Sequence, residues 1–340
     1  MELNSNSKIL ITGGTGSFGR AFLSKLLSNF PNLARVVIYS RDELKQWELR
    51  QLYPQEKYPN LRFFIGDVRD RDRLISATEN IDIIVHAAAL KQVTTAEYNP
   101  IEFIKTNILG AENLIHASIK NNIKRVIALS TDKAAAPINM YGASKLVSDK
   151  LLIAGNQIKG NRDLTFSAVR YGNVMGSRGS VIPFFIKEAA KGILPITHPK
   201  MTRFNITLSE AVDMVFWSIN NAIGGEILVP KIPSYLITDL AEAIGPNCKK
   251  NIIGIRNGEK IHEEMITFAD SFNTFDIGKY FAIIQNCNDT EFEKFSRFHK
   301  KIKPVEQGFS YNSLSNKDFL RIDQIRELIR KNVDANFVPK

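Results

Sequence analysis

Cysteine is scarce in this chain: its 340 residues include only Cys248 and Cys287, far apart and outside any Cys-x-x-Cys pair. That argues against a disulfide framework and leaves too few sulfurs for a zinc cluster. The five histidines show no i, i+4 pair that would set two ligands on one helix face, so no metal site is signalled. Long hydrophobic runs are missing as well. Stretches such as "IIVHAAAL" fall far short of the roughly 20 residues that span a bilayer. The opening "MELNSNSKIL" lacks the basic patch and apolar core of a secretory signal, so the expected location is the cytoplasm. Nor is there a long basic block. The net charge is +10, yet no cluster is longer than "HKKIK" at 299–303, so nucleic acid is not an expected partner. A positive field that attracts a doubly charged nucleotide substrate is compatible with that balance.

What is present has the profile of an ordinary globular chain, 44% hydrophobic and 24% charged. Short β-branched runs at 8–12, 35–39, 62–66, 81–88, 124–130 and 165–171 alternate with helical stretches at 17–28, 42–52, 100–121 and 141–154. Continuous apolar strands alternating with helices predict an α/β fold, a parallel sheet covered on both faces. Beyond about residue 175 the alternation becomes irregular. Strand-like "EILVP" and "NIIGI" mix with expected helices at 208–221, 236–244 and 259–266, which suggests a smaller lobe. The tail from about 268 to 340 carries no usable motif.

"TGGTGSFG" at 12–19 follows the first strand and opens the first helix. Gly13, Gly16 and Gly19 in this spacing permit a tight turn, a close approach to a pyrophosphate and close helix–strand packing. The organisation expected is a doubly wound Rossmann-type domain over 1–175, with a substrate lobe and tail over 176–340 and chain crossings between them. After the second strand, "YSRDELK" offers Ser40, Arg41 and Lys45, a hydroxyl and two cations suited to the 2′-phosphate of NADP. Asp42 and Glu43 leave NAD open, and Ser40 as an ordinary helix N-cap is the plainer alternative. "GDVRD" supplies Asp67 and Val68 to meet an adenine, although a capping aspartate explains the same spacing. In "AAALK", Ala87 and Ala88 are small where a backbone would pass the cofactor.

Tyr141 and Lys145 stand four residues apart on one predicted helix and share a face. A free tyrosine titrates near pH 10, and a neighbouring ammonium with a positive nicotinamide would lower that value. Tyr141 then takes the proton of a sugar hydroxyl as hydride leaves carbon, and Thr131 orients that alcohol. Asp132 and Lys133 lie between Thr131 and the helix, an acid and a base more than hydride transfer needs. On spacing alone they read as a solvated pair in a loop.

The glycine motif, "STDKA", "YGASK" and "RYGNVMGSRGSVIPFF" resemble the extended short-chain dehydrogenase/reductases that act on nucleotide sugars. Within that family, "SRDELKQ", "FFIGDVRD", "HAAALK", "AEYNP", "TRF", "VPKIPS" and "IRNGEK" are similar to the inverting UDP-N-acetylglucosamine 4,6-dehydratases of pseudaminic acid synthesis. The resemblance runs from about residue 8 to 266. It implies C4 oxidation, loss of water across C5–C6, hydride return to C6 and inversion at C5. The product is UDP-2-acetamido-2,6-dideoxy-β-L-arabino-hex-4-ulose, and NADP stays bound and is regenerated each turnover. It implies Lys133 as the base at C5 and Asp132 as the acid on the 6-hydroxyl, with Lys133, Tyr141 or water returning the last proton. A lysine base calls for a pKa below its usual 10.4 or so. The resemblance also brings Thr15, Ser17, Phe18, Leu44, Lys91 and Val174 to the cofactor. It brings Lys91, Asn173, Arg178, Ile182, Phe185, Arg203, Arg256 and Glu259 to UDP-N-acetylglucosamine, and it implies a homo-oligomer, with a hexamer as the form the family suggests.

Two rival enzymes share this fold. A UDP-sugar 4-epimerase returns hydride to C4 and has no use for Asp132 and Lys133. A retaining 4,6-dehydratase keeps both but not the inversion; its relatives are usually fused to membrane spans, and a related capsule group replaces the tyrosine with methionine. The non-enzyme alternative is an NADP-binding regulator, against which Thr131, Tyr141 and Lys145 argue.

Overall fold

The computed structural model describes residues 3–285, 289–299 and 302–340. Its first half winds strictly: β1 (Lys8–Thr12), α1 (Ser17–Asn29), β2 (Arg35–Ser40), α2 (Glu43–Leu52), β3 (Leu61–Ile65), α3 (Arg71–Ala77) and β4 (Ile83–His86). Next come α4 (Val93–Tyr98), α5 (Pro100–Phe103), a π-helical turn at Ile104–Leu109, α6 (Gly110–Lys120), β5 (Arg125–Thr131), α7 (Met140–Ile158) and β6 (Thr165–Tyr171). The second half holds β7 (Asn173–Val174), α8 (Val181–Ala189), β8 (Ile193–Ile196), β9 (Thr202–Ile206), α9 (Leu208–Asn221), β10 (Glu226–Pro230), β11 (Ser234–Leu236) and α10 (Ile237–Ile244). It closes with β12 (Lys249–Ile252), β13 (Glu264–Ile266), β14 (Thr274–Asp276), β15 (Tyr280–Ile284), α11 (Asp289–Phe298), β16 (Lys303–Pro304), β17 (Tyr311–Asn312) and α12 (Ile322–Asn332).

The central sheet runs β3-β2-β1-β4-β5-β6-β10-β15-β14-β16, parallel as far as β10 and antiparallel beyond it. Its first six strands have the Rossmann order, which reverses between β1 and β4 and opens a crevice at their carboxyl ends. Ile9, Ile11, Ile83 and Val85 face one apolar core and Leu10, Val37, Ile84 and Val126 the other, so the strands must be apolar throughout. The chain re-enters this sheet at β10 and again at β14–β16, after the smaller lobe has begun. That lobe packs its own core around Ile182, Phe185, Leu194, Tyr235, Leu240 and Ile329.

Three local expectations change. The 100–121 helix is interrupted by its π-helical turn. The helix expected at 259–266 is a loop leading into β13. Its carbonyls at Lys260 and Ile261 accept from the Arg203 guanidinium at 2.9 and 3.0 Å, which removes them from any helical ladder. Asp42, not Ser40, caps α2, its carboxylate accepting from Lys45 N at 3.0 Å. Cys248 is buried as a free thiol, and Cys287 lies outside the described residues. No helix among the described residues is long and apolar enough to cross a membrane.

Candidate active site

The glycine turn sits where the sheet order reverses. Gly13 adopts φ +65, and a Cβ there would stand 2.8 Å from Ala88 N, so glycine is required on both counts. Ala87 and Ala88 hold that strand end close, their amides donating to Thr12 O and Thr12 Oγ1, both at 3.2 Å. Gly16 is the N-cap of α1 and offers no side chain, and the first turn carries no acid. Ser17 opens that helix. Phe18 lies inward, stacked on Phe22 at 5.8 Å, and Val174 packs against the same core. This cradle, with an uncapped helix N-terminus, fits a dinucleotide pyrophosphate.

Around the second strand's end, Ser40 shares a hydrogen bond with Thr15 at 2.8 Å. Arg41 reaches Asp67 at 3.4 Å and Lys45 pairs with Asp42. Both cations are therefore at the expected mouth, each with an acid beside it. Glu43 and Leu44 are exposed there, while Val68 is buried under Gly110. Lys91 donates to Arg178 O at 3.1 Å, and Arg178 N donates to Ser17 Oγ at 3.5 Å, so the "GSRGS" loop closes over the glycine turn.

The chemical groups gather at the end of β5 and the start of α7. Tyr141 and Thr131 are each 9% exposed, Lys145 3% and Asp132 fully buried. Thr131 donates to Asp132 Oδ1 at 2.9 Å. Lys133 donates to the same oxygen at 3.0 Å and to Asn173 Oδ1 at 3.3 Å. Burial raises the Tyr141 phenol to about 12, and the cation that works against this is Lys133, with the Thr131 hydroxyl. Burial lowers Lys145, which has no hydrogen-bond partner among the described residues, while Asp149 works to raise it. An unpartnered buried ammonium on the tyrosine's helix is what a ribose hydroxyl and a phenolate would occupy.

The Asp132–Lys133 couple is not the solvated pair that spacing alone suggests. Burial raises the Asp132 carboxyl, as suits a proton donor, although the Lys133 charge opposes it. Lys133 departs from the lowered pKa expected of a base. Burial does push it down, but the charges of Asp132 and Glu263 outweigh burial and hold it above the ordinary lysine range. Glu263 is 2% exposed, with Oε1 3.4 Å from Lys133 Nζ. Burial works to raise its carboxyl; Lys133, Arg203 and Lys260 win and hold it low.

Among the residues expected at the sugar nucleotide, Asn173 contacts Lys133, whereas Lys91 and Arg178 stand with the loop over the glycine turn. Arg203 is committed to backbone carbonyls, including Thr202 O at 2.7 Å. Arg256 lies in the exposed loop beside Glu259, 3.8 Å away. Ile182 and Phe185 face the smaller lobe's core, each 2% exposed.

Glu263, Lys260, Asn107 and Ser313 were not legible as site residues. Asn107, in the π-helical turn, donates to Leu90 O and to Ser144 Oγ, both at 3.0 Å, and accepts from Leu90 N at 2.9 Å. Lys260 donates to Ala135 O at 2.7 Å. Ser313 accepts from Glu263 N at 2.9 Å and donates its own amide to Glu263 O at 2.8 Å. The acid-rich "GEKIHEE" was the available signal for Glu263, and a helix reading of that segment hid it.

The family model described as polysaccharide biosynthesis protein matches residues 9–285. The chain belongs to this family. A relative from Campylobacter jejuni, UDP-N-acetylglucosamine 4,6-dehydratase (inverting), is 49% identical over 332 residues, covering 96% of this chain and 98% of the relative. Another from Rickettsia canadensis, UDP-glucose 4-epimerase, is 40% identical, covering 94% of each. The X-ray structure of Pen from Bacillus thuringiensis superposes with a TM-score of 0.87 at 35% identity, covering 96% of this chain and 98% of that one. Family membership thus leaves a dehydratase and an epimerase among the similar proteins, and the site has to decide between them.

Proposed function

We propose that this protein is an inverting UDP-N-acetylglucosamine 4,6-dehydratase, a hydro-lyase that works with a nicotinamide cofactor. The observation that carries the reading is the couple of buried Asp132 and partly buried Lys133 beside Tyr141, an acid and a base beyond those that oxidation at C4 uses. An epimerase has no step for them. The greater identity to the Campylobacter dehydratase than to the Rickettsia epimerase points the same way.

With its pyrophosphate at the glycine turn, a nicotinamide cofactor would supply hydride acceptance from C4 and hydride return to C6. Thr131 orients the 4-hydroxyl and Tyr141 removes its proton. The resulting ketone acidifies C5–H, which Lys133 removes once it has lost a proton of its own. Asp132 gives its proton to the departing 6-hydroxyl. Delivery of a proton to the opposite face of C5 then inverts that centre. Lys145 holds the ribose and stabilises the Tyr141 phenolate. Arg41 and Lys45 select NADP, exchanging their present carboxylate partners for a 2′-phosphate. Arg178, Lys91 and Asn173 hold the sugar nucleotide. We place the enzyme in the cytoplasm, as a homo-oligomer, at the first step of pseudaminic acid synthesis.

Proton NMR of the holoenzyme with UDP-N-acetylglucosamine in D2O tests this. The expected product is a 4-keto-6-deoxy sugar of L-arabino configuration with deuterium at C5. Retained configuration would remove the inverting assignment and the pathway. Simple 4-epimerisation would overturn the roles given to Asp132 and Lys133.

A further inference from the structure

We propose that Glu263 is a positioning residue of this reaction: through Lys133 it fixes both the place and the charge of the group assigned to the C5 proton. The inference rests on the dehydratase reading, since it concerns the base of that reaction.

Three oxygens surround the Lys133 ammonium: Asp132 Oδ1 at 3.0 Å, Asn173 Oδ1 at 3.3 Å and Glu263 Oε1 at 3.4 Å. An ammonium has three N–H donors and no lone pair, whereas an amine has two donors and one lone pair. The arrangement therefore suits the protonated form, and the base form must give up one of the three contacts. Glu263 makes the longest of them and comes from a different part of the chain than the turn that carries Asp132 and Lys133. It supplies a full negative charge where Asn173 supplies only a dipole.

Glu263 Oε2 is buried with no hydrogen-bond partner among the described residues, as is Asp132 Oδ2. Arg203 does not neutralise Glu263 in a fork: its terminal nitrogens go to the carbonyls of Thr202, Lys260 and Ile261, and only Nε comes within 3.8 Å. The charges facing Glu263 are thus Lys133 from the turn after β5, Arg203 from β9 and Lys260 from its own loop, with Asp132 beyond Lys133. The backbone of Glu263 is held on both sides by Ser313, so its carboxylate cannot easily withdraw.

The sign of the effect is fixed. A negative charge beside Lys133 favours the ammonium, so removing that charge makes the amine available at lower pH. In Glu263→Gln the rising limb of the pH profile for C5 exchange should move at least one unit toward acid, with KM for the UDP-sugar changed less than fivefold or so. One unit corresponds to a tenfold difference in exchange at a fixed pH on that limb.

The test follows deuterium entry at C5 against pH in the wild-type holoenzyme, Glu263→Gln and Glu263→Asp. Absence of C5 exchange in the wild type would sink the dehydratase reading itself. Exchange in the wild type, with a Glu263→Gln profile lowered in height but unmoved in pH, would overturn the positioning role and leave a structural one. Glu263→Asp keeps the charge, so its limb should stay near the wild-type pH at a reduced rate. If Glu263→Gln does not fold, a Glu263→Asp limb displaced by a full unit would count against the proposal, and an undisplaced one would support it.

Discussion

The glycine turn and the Asp132–Lys133 couple lie at one crevice yet are built by opposite means. At the turn, the backbone does the work: side chains are absent because any Cβ would strike neighbouring main chain, as at Gly13 and Gly19. At the couple, side chains do the work, and they are ionisable groups largely withdrawn from water, Asp132 wholly and Lys133 in part. The first construction sets one short run of sequence against the end of β4. The second joins the end of β5 to the loop before β13 and, through Ser313, to the tail. Sterics set the cost of error at one end, and electrostatics at the other.

Mutations should expose this contrast. The largest effect is expected from Lys133→Ala: dehydration falls by about 10²–10⁴-fold while NADP remains bound. Single-turnover product formation with a parallel cofactor titration checks it, and full dehydration with NADP bound would remove Lys133 from the base role. Gly19→Ala comes next, because its Cβ would lie 2.5 Å from Gly14 Cα with helix and turn both rigid. A loss of about 2–3 kcal/mol is expected, read as a fall in Tm together with weaker cofactor binding. Ser313→Ala strands the buried Glu263 amide and should cost about 1–2 kcal/mol, with slower C5 exchange but unchanged NADP affinity. The smallest effect belongs to Arg41→Ala with Lys45→Ala. NADP should bind about tenfold more weakly, some 1.4 kcal/mol, and NAD equally well, by calorimetry of the two cofactors. Equal losses for both cofactors would make these residues general phosphate holders rather than selectors.

The same contrast explains what could be read from the sequence. Strands such as "KILIT" and "RVVIY" are apolar on both faces because helices cover both, and with the alternating helices that made the parallel sheet legible. The glycine turn was legible because its spacing is imposed by local sterics. Tyr141 and Lys145 were legible because a helix brings i and i+4 together. Glu263 was not, because nothing local distinguishes a carboxylate that ends up beside Lys133 from one that faces water. The charge state of Lys133 was illegible for the same reason, since it depends on a partner 130 positions away in the chain. Arg203 and Phe185 show the converse. The family resemblance brings them to the sugar nucleotide, and here carbonyls hold one guanidinium while the other side chain packs in the smaller lobe's core. The tail, featureless as a string, supplies three strands of the main sheet and the clasp on Glu263.

That clasp also sets an order of assembly. A ribosome releases residues in sequence, so the glycine turn and its strands can be complete while Ser313 is still unmade. A nascent or prematurely ended chain could then hold a nicotinamide cofactor without a fixed base for C5. Competence to bind would precede competence to eliminate water, and quality control at the level of the gene product would fall to its final segment.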